Sequence, residues 1–324
     1  MTYSNTLQGR FVATGYPAAA MLFVSLLLWV GGYLCSVGSG STTLASFGLD
    51  FFGDLFSRAV SLLSYICAAL LLNHIYLFER RVPYLPHIFL WLVSVQMFLH
   101  PDCVIAPTLL FFLLAAAQLM SCSQEQGQQR VVYGAFAILS FSSLFFLQFI
   151  YLFPLFLIYL WVGNVYSAKN LFAALLGVAT PYWLLFGTLF VAPSLDGLLL
   201  PQKMGLLNLL TPATLSFSLQ QLVTLATEML VLVVAVSLFF TSSLPAKPLL
   251  RRRLLFVFIT NVYLLLFSFA LPQDYALLLA WRLPGDAVMA VYVFSMRVTR
   301  LSNIYFIVLN ILWLVTALLC LWIV

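Results

Sequence analysis

The sequence predicts an all-α integral membrane protein with about eleven transmembrane helices. Of its 324 residues, 64% are hydrophobic and only 7% are charged, and the mean hydropathy is +1.10. A soluble domain carries about 25% charged residues, so this chain lacks the side chains needed to cover a water-facing surface. Because a helix needs roughly 20 apolar residues to cross the hydrocarbon core, the chain has room for about a dozen spans at most.

Polar breaks between the apolar runs divide the chain into eleven predicted spans. The first run follows sixteen mixed residues and is too long for the hydrophobic part of a signal peptide, so we expect it to be retained as a helix. All the spans are predicted to form one membrane domain over 1–324. They cover about 17–38, 55–77, 84–99, 104–121, 131–147, 151–166, 171–192, 218–240, 254–271, 275–295 and 301–324.

The stretch from 131 to 166 contains 36 mostly apolar residues and no charge. A single helix of that length would measure about 54 Å, which is far more than the roughly 30 Å of the hydrocarbon core. The stretch therefore predicts a tight hairpin of two short helices that turns near Gln148–Pro154. Farther along, Thr180-Pro181 predicts a break in the seventh span, and Pro284-Gly285 predicts a kink or a break in the tenth.

The basic residues support this arrangement when the N-terminus is placed in the cytoplasm. The C-terminus then lies outside, and Lys203 is the basic residue of the outer loops, while Arg58 and Arg282 fall within spans. The long outer segment 193–217 is rich in leucine, and we expect it to lie as a helix in the membrane interface. Eleven of the fourteen basic residues fall on the inner side: Arg10, Arg80, Arg81, Arg130, Lys169, Lys247, Arg251, Arg252, Arg253, Arg297 and Arg300.

Besides Arg58 near the start of the second span, three charged side chains fall inside predicted spans, where each one costs about 2.5–3.5 kcal/mol on insertion scales. Glu228 lies near the middle of the eighth span, which predicts either a proton, cation or polar-substrate site or a neutral carboxyl hydrogen-bonded between helices. Arg282 and Asp286 flank Leu283-Pro284-Gly285 in the tenth span. Their spacing predicts either a phosphate clamp at the outer face or an internal i,i+4 ion pair.

Further acidic residues are predicted at the outer surface. Asp54 and Arg58 are spaced i,i+4 at the outer start of the second span, and Asp50 lies four residues before Asp54. This pattern indicates either helix-start chemistry with a local ion pair or a carboxylate base at the outer mouth of a site. Asp102 lies in the tight outer turn His100-Pro101-Asp102, where turn formation is the alternative to a catalytic role.

No motif in the sequence indicates a cofactor or a metal. The three histidines are scattered, and the five cysteines have no CxxC spacing. The basic residues are dispersed except at Arg251-Arg252-Arg253, which is typical of a cytoplasmic anchor beside a span and does not favour nucleic-acid binding. The lipid bilayer is the partner that the composition predicts, and a protein partner stays an open possibility.

The run Asn170-Leu171-Phe172-Ala173-Ala174-Leu175-Leu176-Gly177, continuing to Trp183, resembles a stretch in a family of uncharacterised multi-pass membrane proteins from Bacteroidetes. The segment from Tyr133-Gly134-Ala135-Phe136 to Phe153-Pro154 is also similar to that family, and the likeness extends over about residues 55–190. The resemblance implies a multi-pass protein of the inner membrane.

The layout is more distantly similar to C-type glycosyltransferases, which use polyprenyl-phosphate-linked sugars. The likeness rests on the first helix with its outer loop, on the Pro-Asp turn before the fourth span and on the short hairpin helices. It implies that Asp50 or Asp54, with Asp102, supplies the catalytic base, and that Arg58 or Arg282 holds the phosphate of the lipid-linked sugar.

Three functions stay open at the level of sequence. The first is an envelope-glycan glycosyltransferase, or a degenerate relative, that uses a lipid-linked sugar. The second is a non-catalytic membrane scaffold or assembly subunit, which the scarcity of motifs favours. The third is a transporter in which Glu228 is the mid-membrane carboxyl and the Pro-Gly pair of the tenth span interrupts a helix.

Overall fold

A computed structural model describes residues 15–36, 54–75, 85–99, 105–122, 127–191, 217–241, 248–295 and 300–323 of the chain. Every regular element in these ranges is helical, and short 3₁₀ helices cover Leu147–Tyr151 and Pro272–Asp274. The α-helices are α1 Gly15–Ser36, α2 Asp54–His74, α3 Leu85–Leu99, α4 Ile105–Met120, α5 Gln128–Phe145, α6 Leu152–Val162, α7 Ala168–Val191, α8 Leu219–Thr241, α9 Pro248–Ala270, α10 Tyr275–Ser295 and α11 Arg300–Ile323.

The all-α prediction is confirmed for the described residues, and each of the eleven predicted spans coincides with one α-helix. The largest difference is at α9, which begins at Pro248 rather than near 254. Proline is favoured in the first turn of a helix, and arginine is a good helix former, so the triple arginine extends this helix instead of preceding it.

Four helices in the described part of the chain are long and apolar enough to cross a membrane. They correspond to α7, α8, α9 and α10. The chain therefore has the architecture of a membrane protein, as its composition predicts. The crossing of a bilayer by all eleven helices and their union in one domain stay predictions. The predicted interfacial segment 193–217 lies outside the described residues, apart from its last residue.

The two internal prolines do not break their helices, so the predicted break at Thr180-Pro181 is wrong and the kink at Pro284-Gly285 stays a prediction. Pro181 lies within α7 and Pro284 lies within α10, and both helices continue past them. A proline removes one backbone hydrogen bond, and the remaining bonds and the packing against neighbouring helices hold the rest of the helix together. In α7, the Thr180 hydroxyl also donates to the Leu176 carbonyl at 2.7 Å.

The apolar stretch 131–166 is divided between two helices. Helix α5 ends at Phe145, Phe146 is extended with φ −130°, and the 3₁₀ helix leads into α6. The interruption of the helix therefore begins at Phe146, slightly before the predicted turn. Pro154 lies inside the first turn of α6, where the backbone N–H groups have no intrahelical partner and a proline costs little.

The chain divides into two compact units, of which the first comprises residues 1–106 and 214–324. Helix α10 is the centre of this unit and contacts α3, α8, α9 and α11. The apolar window within Pro272–Phe294 is 94% buried, so α10 faces protein on all sides. Near one end, rings from three helices pack together: Phe239 of α8, Phe258 of α9 and Tyr292 of α10 have centroids 4.9–6.2 Å apart.

The second unit comprises residues 107–213, and its main contact joins α5 to α7. Gly177 permits this contact, because a Cβ built on it would lie 2.6 Å from the Tyr133 carbonyl oxygen. Hydroxyl groups add polar links across the pair, from Ser140 to the Val178 carbonyl at 2.7 Å and between Ser143 and Tyr182 at 2.7 Å. Small residues and interhelical hydrogen bonds of this kind are typical of helix pairs in membranes.

Candidate functional site: a buried charged cluster

Three helices of the first unit bring charged and polar side chains together in its interior. Glu228 lies on α8, Asn261 lies on α9, and Arg282 and Asp286 lie one turn apart on α10. All four residues are buried, with relative exposures between 1% and 4%. We call these four residues the charged cluster. Its position on the enclosed helix α10 separates it from the surface of the unit.

The closest charged contact in the cluster joins Arg282 to Glu228. The Arg282 Nη1 atom lies 2.7 Å from the Glu228 Oε2 atom, and their side chains are 1% and 5% exposed. The two atoms do not meet the angular criteria for a hydrogen bond, so proximity defines this contact as an ion pair. An arginine cannot lose its charge, and in an apolar interior it therefore requires a partner of opposite charge.

Asp286 interacts with α9 through Asn261. The Asn261 Nδ2 group donates to the Asp286 Oδ1 atom at 3.3 Å and also lies 3.6 Å from the Met289 sulfur. The two remaining oxygens of this pair, Asp286 Oδ2 and Asn261 Oδ1, are buried and have no hydrogen-bond partner among the described residues. Each such buried acceptor costs about 1–3 kcal/mol.

Gly285 allows Asn261 to lie directly against the backbone of α10. A Cβ built on Gly285 would lie 2.7 Å from the Asn261 Cγ atom, which is closer than carbon atoms pack. The glycine therefore provides the space in which the carboxamide reaches the neighbouring Asp286. This close approach gives Gly285 a role other than the helix break that the Pro-Gly pair predicts.

Two tyrosines lie close enough to the charged cluster to interact with it electrostatically. Tyr275, at the start of α10, interacts with Glu228, whereas Tyr305 of α11 interacts with Asp286. The Tyr305 hydroxyl is buried and has no hydrogen-bond partner in the described part of the chain. A phenolic O–H can donate to a carboxylate, so it is a further group that can respond to the charge of Asp286.

The cluster contains two acids and one base. Glu228 and Asp286 also interact electrostatically with each other, and Arg282 interacts with both. When all three groups are ionised, the cluster has one negative charge in excess. A net charge is expensive in the interior of a membrane protein, so the arrangement favours binding of one proton or one monovalent cation.

Of the predicted site residues, the structure brings together Glu228, Arg282 and Asp286. The predicted i,i+4 relationship between Arg282 and Asp286 is present as an electrostatic interaction, but the ion pair at 2.7 Å is with Glu228 on another helix. The guanidinium lies in the protein interior rather than at a surface. Its predicted role as a phosphate clamp stays a prediction.

The remaining predicted site residues cannot be placed relative to the cluster. Asp50 and Asp102 lie outside the described residues. Helix α2 begins at Asp54, as expected for an acid at a helix start, and includes Arg58, but the side chains of both residues lie outside the described part of the chain. Their predicted catalytic and phosphate-binding roles stay predictions.

Sequence reasoning did not identify the pairing of Glu228 with Arg282 or the roles of Gly285 and Tyr305. The available signal was that each lies in an apolar segment at a position where a polar or small residue needs an explanation. A single sequence does not reveal which of these positions face each other, because that depends on how α8 to α11 pack.

No family model, no curated protein and no solved structure matches the chain. Within the described residues, no group of three or more His, Cys, Asp or Glu side chains is positioned to hold a metal ion. The functional argument therefore rests on the chemistry of the charged cluster.

Proposed function

We propose that this protein is a transporter that moves protons across the membrane, alone or coupled to a second solute, through the charged cluster. The observation that carries the proposal is the presence of two buried carboxyls and one guanidinium at the centre of a helical unit. Charged residues within membrane segments are costly and mark ion pathways and proton relays in pumps and transporters. Glu228 and Asp286 are the groups that can bind and release a proton, whereas Arg282 retains its charge.

The helices that carry the charged cluster support a role in transport across the membrane. Its side chains come from α8, α9 and α10, which are three of the four helices long and apolar enough to cross a membrane. A relative movement of these helices would change both the exposure of the carboxyls and their distance from Arg282. Ion affinity would then depend on conformation, which is what alternating access requires.

The membrane arrangement that goes with this function has eleven spans in the inner membrane and a cytoplasmic N-terminus. The correspondence of the eleven predicted spans with α1 to α11 supports the helix count. The excess of basic residues on one side supports the orientation. A glycosyltransferase that uses a polyprenyl-phosphate sugar stays a prediction, since its candidate residues Asp50, Asp54, Arg58 and Asp102 have no described side chains.

Reconstitution into liposomes tests the function directly. The purified protein is placed in liposomes with an internal pH-sensitive dye, and a potassium diffusion potential drives proton entry. The measurement is made without solute and then with mixtures of amino acids, of sugars and of alkali-metal salts. We expect proton entry above that of empty liposomes in at least one condition, and its loss in Glu228→Gln. Flux equal to that of empty liposomes in every condition would rule out the function.

A matched variant separates loss of the charged cluster from general damage. Ser237→Ala changes an exposed hydroxyl on α8, the same helix that carries Glu228. It should be reconstituted with the same efficiency and retain the full flux. Equal flux in Glu228→Gln and Ser237→Ala would show that the conduction path does not use the cluster.

A further inference from the structure

We infer that the proton of the charged cluster is held by Asp286, which shares it with Asn261 as a paired carboxylic acid and carboxamide. This inference deepens the proposed function and rests on it for the movement of the proton across the membrane. It identifies Asp286, rather than the mid-span Glu228, as the proton-carrying acid. It also gives Asn261 a defined role as the positioning residue of the proton site.

The hydrogen-bond inventory of the pair carries the argument. A carboxamide and a neutral carboxylic acid can form two reciprocal bonds, since each group has one donor and one acceptor on the same edge. One of these bonds is present, from Asn261 Nδ2 to Asp286 Oδ1 at 3.3 Å. The other two atoms, Asp286 Oδ2 and Asn261 Oδ1, are both acceptors if the acid is ionised. Both are buried without a partner in the described part of the chain.

A single proton on Asp286 Oδ2 resolves both deficiencies. The protonated oxygen becomes a donor and can bond to Asn261 Oδ1, so two unpaired acceptors become one hydrogen bond. The same proton removes the excess negative charge of the cluster. Glu228 does not offer this arrangement, because its carboxylate faces the permanently charged Arg282 guanidinium at 2.7 Å rather than a carboxamide.

Arg282 is positioned to compensate for loss of that proton. It lies four residues before Asp286 on α10, and residues with this spacing are neighbours on one helix face. When the Asp286 proton leaves to water, the guanidinium can turn from Glu228 toward the new carboxylate, and the Tyr305 hydroxyl can donate to it. Transfer of the same proton from Asp286 to Glu228 also conserves the total charge, with Arg282 exchanging one carboxylate partner for the other.

Infrared spectroscopy of the protein in lipid nanodiscs tests the assignment. A protonated carboxyl has a carbonyl absorption distinct from that of a carboxylate, and the band shifts when exchangeable protons are replaced by deuterium. At neutral pH we expect such a band in the native protein. It should disappear in Asp286→Asn, which retains the size of the side chain. It should keep its position in Glu228→Asp, which retains the carboxylate that balances Arg282. Asn261→Leu should keep the band but shift its position, because the acid loses its hydrogen-bond partner.

Two results would overturn the inference, namely persistence of the band in Asp286→Asn and absence of a protonated carboxyl band from the native protein. Asp286→Glu keeps an acid on α10, and a band that moves to the position of a glutamic acid confirms that the acid at this position holds the proton. The flux experiment remains independent. A band assigned to Asp286 without proton flux would refute transport and leave the proton site intact, whereas flux without this band would refute the assignment alone.

Discussion

The Arg282 Nη1 atom and the Glu228 Oε2 atom lie 2.7 Å apart in the interior of the first unit, although their residues belong to different helices. Because neither charge is exposed to solvent, the pair links α8 to α10 through an interaction that is costly to disrupt on one side alone. Removing one partner of a buried ion pair leaves an uncompensated charge, which typically destabilises a protein by about 3–5 kcal/mol.

The first prediction concerns this pair. Glu228→Gln removes the carboxylate that faces Arg282 and leaves Asp286 as the remaining acid near the guanidinium. We expect it to lower the free energy of unfolding by at most about 3–5 kcal/mol. Arg282→Met removes the charge that faces Glu228, and the double variant removes both charges. We expect the double variant to be more stable than the sum of the two single effects predicts. Unfolding in mixed micelles provides the measurement, and strictly additive effects would show that the two side chains do not interact.

The second prediction concerns the contact between α5 and α7. In Gly177→Ala, the new Cβ would lie 2.6 Å from the Tyr133 carbonyl oxygen, and because that atom belongs to the backbone the two helices must separate. We expect a loss of about 1–3 kcal/mol in the free energy of unfolding.

Gly187→Ala is the matched control for this substitution. Gly187 lies on the same helix, and a Cβ built there has no atom within 4 Å. Alanine is a better helix former than glycine, so this variant should be unchanged or slightly more stable. The same unfolding assay applies to both variants. If they had equal stabilities, the close approach of α5 and α7 at Gly177 would be disproved.

The helix positions could be predicted from the sequence, whereas the site could be predicted only in part. Long apolar runs separated by polar breaks identify α1 to α11 because each helix in lipid must satisfy its own backbone hydrogen bonds. Glu228, Arg282 and Asp286 were recognisable as charges in apolar segments. Their pairing was not recognisable, since it depends on the rotation of α8 and α10 about their axes, and an almost uniformly apolar helix gives little indication of which face is buried.

The two prolines illustrate another limit of sequence reasoning. The sequence predicted a break at Pro181 and a kink or a break at Pro284, and both helices continue past the proline. The glycine after Pro284 was attributed to the same break, but it is required by the close approach of Asn261. The residue types thus identified unusual positions without specifying their physical cause.

The third prediction concerns Cys122, which follows α4 and is buried. Burial disfavours the charged thiolate and raises the pKa of the Cys122 thiol above its ordinary value. Alkylation of Cys122 in the native protein should therefore require a more alkaline pH than alkylation of the same residue in the unfolded chain. Mass spectrometry of iodoacetamide-treated protein gives both pH profiles, and Cys122→Ser identifies the modified peptide.

The same shift determines a dependence of stability on pH. The contribution of the neutral Cys122 thiol to the free energy of unfolding is fully present below the pKa of the unfolded thiol. It is lost as the pH rises through the higher pKa of the folded thiol. At alkaline pH, Cys122→Ser should therefore lose less stability than the native protein does. Coincident alkylation profiles for the native and unfolded chains would contradict the raised pKa.

The fourth prediction concerns the number of membrane crossings. Reporter domains fused after Lys203 and after Arg253 should lie on opposite sides of the membrane, because one crossing through α8 separates the two positions. Fusions after Arg130 and after Lys169 should lie on the same side as the Arg253 fusion, because α5 and α6 together return the chain to the inner leaflet. Alkaline phosphatase activity marks the outer side and fluorescence of a cytoplasmic reporter marks the inner side.

Opposite locations for the Arg130 and Lys169 fusions would make α5 and α6 a single crossing and place the triple arginine outside. That outcome would invert the membrane sides assigned to the two ends of α10.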